Sequence, residues 1–308
     1  MNNTDFLFQN IDALNSDLRI ITEEYSAHIA DLAHLLYTGN DPEAYADARE
    51  RLAQSILLAA GGAADCNRSE VQDVFGIVDI IASALLSSEI TKLGLSSIHL
   101  SELFPPYNES ASRITYFRTH GADEAYSAFA KILPFPTVSY VNGFSSVCDE
   151  VFSGYSDFGI LPIKSGSNGR MSTVDKLIRK FSLFTVATFD IFEDNDTLTF
   201  ALLAKSQVML DGAFILDIDY TVSDGFSLTS LLCSLSLMGI YPDSCEMVNS
   251  LENYGDTVYR LTFKVTEESA KQLISCLDRE YSDFSVNGFY KTVTKNGTIS
   301  LQPSKNTV

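Results

Sequence analysis

Four hydroxyls fall close together in the sequence, Ser165, Ser167, Thr197 and Thr199, and any of them could be nominated as a nucleophile. A hydroxyl attacks only with a base beside it, and neither a G-x-S-x-G elbow nor a partnered histidine accompanies these four. His120, next to Gly121, reads as a turn residue. His28 and His34 lie six apart, with His28 on an apolar helical seam, which suits a core or interface histidine better than a metal ligand. The run Glu193-Asp194-Asn195-Asp196 carries calcium-type donors without the spacing or terminal glutamate of an EF-hand, so an exposed turn is expected. Glu50, between Arg49 and Arg51, reads as part of a solvated helix face. The five cysteines (Cys66, Cys148, Cys233, Cys245, Cys276) are odd in number and show no C-x-x-C spacing, which predicts reduced thiols, with neither zinc nor a disulfide framework. On these residues no catalytic residue, metal or cofactor is assigned.

The chain that must position these groups has 308 residues, of which 45% are hydrophobic and 20% charged. That is about twice a typical domain, so two or three cores are expected. The net charge is −19, and residues 1–90 set four arginines and no lysine against fifteen acids. Nucleic acid and anionic membranes both need clustered cations, so neither is expected as a partner. No apolar run approaches the roughly 20 residues that span a bilayer. The start, Met1-Asn2-Asn3-Thr4-Asp5, lacks the positive region and apolar core of a signal peptide, which makes a cytoplasmic location the expectation.

Apolar residues at Leu7, Ile11, Leu14, Leu18, Ile21, Tyr25, His28, Leu32 and Leu35 alternate steps of four and three, a heptad seam on one long helix. Asp41-Pro42 and Gly61-Gly62 punctuate two further helices, so residues 1–102 read as an all-α domain. Pro105-Pro106 predicts a linker. Short apolar runs then alternate with helical stretches over residues 110–206, which predicts a largely parallel α/β lobe. Residues 211–294 read β-α-β-β-α-β, the ferredoxin-like split unit of an α+β domain, and residues 295–308 form a polar tail. The fold class is therefore multidomain.

The order helical domain, α/β lobe, ferredoxin-like domain resembles the bifunctional chorismate mutase/prephenate dehydratases of phenylalanine biosynthesis, whose last unit is an ACT domain. The most specific segment runs from Asp149-Glu150-Val151-Phe152 through Gly154 and Asp157-Phe158-Gly159-Ile160-Leu161-Pro162-Ile163. It is similar to the dehydratase stretch "D-V-F-x-x-V-E-x-G-x-A-D-Y-G-V-x-P-I-E-N-S".

The resemblance implies two activities whose residues this chain has lost. A mutase pocket grips a dicarboxylate with cations. The family's cations fall here on Phe8, Tyr25 and Leu36, its glutamine on Leu86 or Ser87, and only Arg49-Glu50 matches its "R-E". The dehydratase "E-N-S" turn becomes Lys164-Ser165-Gly166, and its "T-R-F" strand becomes Leu198-Thr199-Phe200. Between Leu183–Phe192 and that strand the family inserts a complete second lobe, for which this chain has no residues. A degenerate, non-catalytic homologue with a regulatory or ligand-binding role is the leading expectation. An active enzyme with a rebuilt site and a structural partner of an intact enzyme are the alternatives.

The family's phenylalanine-binding turn "P-G-A-L" corresponds to Asp224-Gly225-Phe226-Ser227, and its "E-S-R-P" to Glu246-Met247-Val248-Asn249. A chain leaving a strand and entering a helix here offers unpaired backbone donors to a carboxylate. Glu246 could receive an ammonium group. The candidate ligand site is thus Asp224, Gly225, Phe226, Ser227, Leu228 and Glu246, with an amino acid as ligand and a homodimer through residues 1–90 as the expected assembly.

Overall fold

The computed structural model describes most of the chain from Ala84 to Lys295; residues 1–83, 87, 90, 94–97, 194–195, 223–224, 249–256, 282 and 296–308 are outside it. The seam from Leu7 to Leu35, Arg49 and Glu50, and the expected dimer interface therefore lie outside the described residues.

Strands β1 (Ser112–Phe117), β2 (Pro136–Val141) and β3 (Phe158–Ser165) alternate with helices α1 (Ala122–Phe129) and α2 (Phe144–Phe152). After the two-residue β4 (Gly169–Arg170) come α3 (Ser172–Lys180) and the pair β5 (Phe184–Glu193) and β6 (Asp196–Ala204). The last third runs β7 (Ile215–Val222), α4 (Gly225–Leu237), β8 (Pro242–Val248), β9 (Thr257–Lys264), α5 (Glu267–Glu280) and β10 (Phe284–Val293). These elements match the sequence reading closely, apart from β4, which it lacked.

One continuous sheet runs β2-β1-β3-β6-β5-β10-β7-β9-β8. β1 is parallel to β2 and β3, whereas β6 is antiparallel to both β3 and β5. The lobe is thus parallel only in its first half. The two halves of the molecule meet at β10, which is antiparallel to β7 from Phe284 to Tyr290 and parallel to β5 from Lys291 to Val293.

The composition of β3 explains its central place. Phe158 to Leu161 are buried on both faces, as a strand covered by helices on each side requires. A Cβ on Gly159 would lie 2.7 Å from Val147 and 2.9 Å from Val151, so the missing side chain lets α2 lie directly on the sheet. Pro162 has no N–H to give the ladder, and the β3–β6 register shifts between Pro162 and Lys164.

Among the described residues three apolar clusters result. Phe129, Phe158, Phe189 and Phe200 centre the one beneath α1; Val147, Val151, Leu161 and Val174 build the one beneath α2 and α3. The third lies beneath α4 and α5 and includes Leu216, Ile218, Leu231, Leu261 and Leu273. It also recruits Leu100 and Phe104, the latter ring 5.5 Å from Phe289. The expected linker is pinned as well, because Met209 donates to the Pro105 carbonyl at 2.9 Å and Tyr107 donates to Met209 at 3.3 Å. α5 opens on Thr266, whose side-chain oxygen accepts from the Ser269 N–H at 3.2 Å.

Candidate functional site

β7 ends at Val222 and α4 begins at Gly225. Asp224 lies outside the described residues, as do the side chains of Phe226 and Ser227. Leu228 packs against the apolar cluster beneath α4 and α5. Glu246 stands on the opposite face of the sheet. It pairs in register with Arg260, which pairs with Asp219, while the neighbouring Leu261 and Ile218 pack into the apolar cluster beneath the helices. Leu228 and Glu246 are therefore not brought together on one face.

Glu246 instead belongs to a charged cluster that joins the two halves of the molecule. Its carboxylate accepts from Lys164 Nζ and from Arg170 Nε, both at 3.0 Å. Arg170 also reaches Asp217 Oδ2 at 3.3 Å. The Arg260 guanidinium grips Asp219 with two parallel bonds of 2.6 and 2.9 Å and donates through its remaining nitrogen to Asp175 on α3. Arg179 pairs with Asp175 at 3.0 Å and lies 2.7 Å from Asp219 Oδ2, an ion pair too far off line for a hydrogen bond. Asn287 completes Asp219 at 2.8 Å. Lys164, Arg170, Arg179 and Asp175 come from the lobe; Asp217, Asp219, Glu246 and Arg260 come from the C-terminal sheet. The cluster is formally neutral.

The acids in it titrate in opposite directions. Burial raises the Asp175 carboxyl, yet Arg260 and Arg179 outweigh burial and hold it below the usual range. Glu246 is lowered likewise, with Lys164 and Arg170 overcoming burial. Asp217 is raised, because burial wins over Arg170 and Arg260. Its Oδ1 is buried without a hydrogen-bond partner, Arg260 Nε being 3.9 Å away. The sequence hid this cluster. Asp217 and Asp219 alternate with Leu216, Ile218 and Tyr220, which looks like a strand with one wet face, and here the polar face is covered by α3.

The hydroxyls named above gather at the end of β3. Ser165 and Ser167 each donate to Asp196 Oδ2 at 2.8 Å, and the backbone N–H groups of Ser167 and Thr197 bond to Oδ1. Those bonds bring the Asp196 carboxyl down to about 2, which makes it a poor base for either serine. Thr199 donates to Asp190 Oδ1 at 2.6 Å, and Leu198 packs against the lobe core. β5 turns into β6 as a hairpin with Glu193 opposite Asp196. Leu86 is fully buried. No group of three metal-ligating side chains occurs among the described residues. No helix among them is long and apolar enough to cross a membrane.

Neither a protein-family model nor a curated protein matches the chain. Solved structures do. A prephenate dehydratase from Streptococcus mutans is 16% identical with a TM-score of 0.50, over 59% of this chain and 98% of that one. The fold resembles that of a prephenate dehydratase. GqqA, described as a novel type of quorum quenching acylase, is 17% identical with a TM-score of 0.47, over 58% of this chain and 94% of that one. The prephenate dehydratase of Staphylococcus aureus subsp. aureus Mu50 is 11% identical, also with a TM-score of 0.47, over 58% of this chain and 99% of that one.

Proposed function

We propose that this protein is a non-catalytic, ligand-responsive relative of the chorismate mutase/prephenate dehydratases. The observation that carries the reading is the bond from Thr199 to Asp190. At the place where the resemblance puts the arginine that meets the substrate carboxylates, this chain holds a hydroxyl turned onto an acid, with Asp196 on the same strand. Prephenate carries two carboxylates, and a negative site repels them. The β5–β6 hairpin supports the same reading, since it stands where the family inserts the second wall of its cleft.

In this reading residues 1–102 form a chorismate-mutase-like dimerisation domain and residues 211–294 an ACT-like sensor. A free amino acid binds at the start of α4, Asp224 to Leu228, through the backbone donors there, while Glu246 across the sheet stays with Lys164 and Arg170. Purified protein supplied with prephenate tests the catalytic half: no phenylpyruvate is expected, and its appearance at about 1 per second or faster would overturn the reading. Thermal shift against phenylalanine, tyrosine and tryptophan tests the sensing half. At least one should raise the melting temperature, because a ligand selective for the folded state stabilises it.

A further inference from the structure

The outer edge of β2 has four consecutive exposed residues, Thr137, Val138, Ser139 and Tyr140. β2 is the terminal strand of the sheet, so one row of its backbone N–H and C=O groups lacks a ladder partner among the described residues. Edge strands usually carry a charge, a bulge or an internal proline against stray pairing. β2 has none of these. No charged residue occurs from Ile132 to Cys148, the register with β1 is unbroken from Pro136 to Val141, and proline stands only before the strand and at its first residue. The opposite edge, β8, does carry such features: Asp243, Glu246 and a register shift after Pro242.

Phe135, immediately before the strand, is 82% exposed and holds φ at +37° between two prolines. A large aromatic kept in that backbone region and pointed at solvent gains nothing from its own chain. Tyr140 is exposed too, yet it is fixed in place by the Arg118 guanidinium 4.7 Å over its ring and by Tyr116 edge-on at 5.1 Å.

We propose that β2 pairs antiparallel with β2 of a second copy of this chain, across a two-fold axis at Ser139. The net charge of −19 makes two copies repel over most of their surface, and this neutral stretch is a place where they can approach. The register is self-complementary. It sets Val138 against the partner's Tyr140 on one face, a β-branched residue against an aromatic ring, and Thr137 against the partner's Val141 on the other. Carried one residue before the strand and two after it, the register lays Phe135 beside the partner's Gly143, where the space around the Cα is open. A register centred on Val138 would set Pro136 against tyrosine, and one centred on Tyr140 would force two tyrosines together.

The full-length chain tests the proposal by disulfide trapping. In an antiparallel pair, residues on the axis have Cα atoms about 4.5–5.5 Å apart, inside the range a disulfide spans. Ser139→Cys should give a disulfide-linked dimer on mild oxidation, which neither the parent chain nor Val138→Cys should give. Ser139→Lys, with circular dichroism to confirm folding, should weaken by at least about tenfold the association step made through β2, read by sedimentation as assembly beyond any dimer held by residues 1–102. A parent chain that is monomeric, or a dimer indifferent to Ser139→Lys and untrapped by Ser139→Cys, overturns the proposal; the second outcome places the interface elsewhere, as in residues 1–90. Trapping through Val138→Cys instead overturns the register. Protection of the β2 amides from hydrogen exchange by an added extended peptide, in a chain that stays monomeric, would make the edge a peptide site and overturn the second copy.

Discussion

A Cβ on Gly288 would lie 2.2 Å from the carbonyl oxygen of Thr185. Both strands slip register at this point, β10 between Val286 and Gly288 and β5 between Thr185 and Ala187. Here β10, still paired with β7 as far as Tyr290, comes against the backbone of β5 just before it joins that strand at Lys291, and only a residue without a side chain permits the approach. Gly288→Ala is expected to cost about 2–3 kcal/mol by urea denaturation, since the obstacle is backbone and not a flexible side-chain end. A loss below about 0.5 kcal/mol would mean that the joint between the two halves is built differently.

Arg260 should be the most sensitive charged residue among those described. It is 5% exposed and serves Asp219 and Asp175 from opposite halves. Arg260→Met leaves both acids without their main partner, and breaking a buried pair in this way typically costs about 3–5 kcal/mol. Combining it with Asp219→Leu should recover part of that loss, and a double-mutant cycle measures the coupling. Strictly additive losses would sink the assignment.

Two acids of one cluster should respond to pH with opposite signs. Asp175 is lowered in the folded protein, so its stabilisation is full above the ordinary carboxylate range and is lost as pH falls through its folded value. Asp217 is raised, so its contribution is present at acid pH and is lost as pH rises through its folded value. Asp175→Asn should therefore lower the melting temperature at neutral pH, with the deficit shrinking on acidification. Asp217→Asn should raise it at neutral pH, with the gain shrinking on acidification. Melting curves from about pH 3 to 8 decide between this pattern and one shared sign, which would contradict the cluster geometry.

Gly225 begins α4, where the proposed amino-acid ligand meets the backbone. Gly225→Val should remove any thermal shift produced by phenylalanine while leaving the unliganded melting temperature within a few degrees, because a β-branched side chain bars a carboxylate from the helix start. A ligand response that survives the substitution would move the site away from residues 224–228.

Local periodicity carried most of the fold. Burial of β3 on both faces shows as an unbroken apolar run, and the alternation in β7 shows as Leu216, Ile218 and Tyr220, so strands and helices among the described residues could be placed within about three residues. Pairings between distant segments could not. Nothing near Lys291 announces that β10 continues past its own unit to join β5, because that contact spans about a hundred residues and depends on one glycine opposite one carbonyl. β4 is two residues long, too short for any period. The candidate site was legible only in part. Glu246 is recognisable as a notable acid, but its partners Lys164 and Arg170 lie some eighty residues earlier, and an arginine inside a strand such as Arg260 gives no local sign of being buried.

β10 is made after every other strand of the sheet, and it closes two open edges at once. Until it emerges, β5 and β7 each present an unpaired strand, and Leu100 and Phe104, made nearly two hundred residues earlier, wait for Phe289. The lobe is thus inserted between two pieces of the C-terminal core, so a nascent chain paused before Phe284 exposes apolar surface at both ends of its lobe. Synthesis of this protein should depend more heavily on chaperones than its size alone suggests, and a stop codon ahead of Phe284 should yield aggregate instead of a soluble lobe.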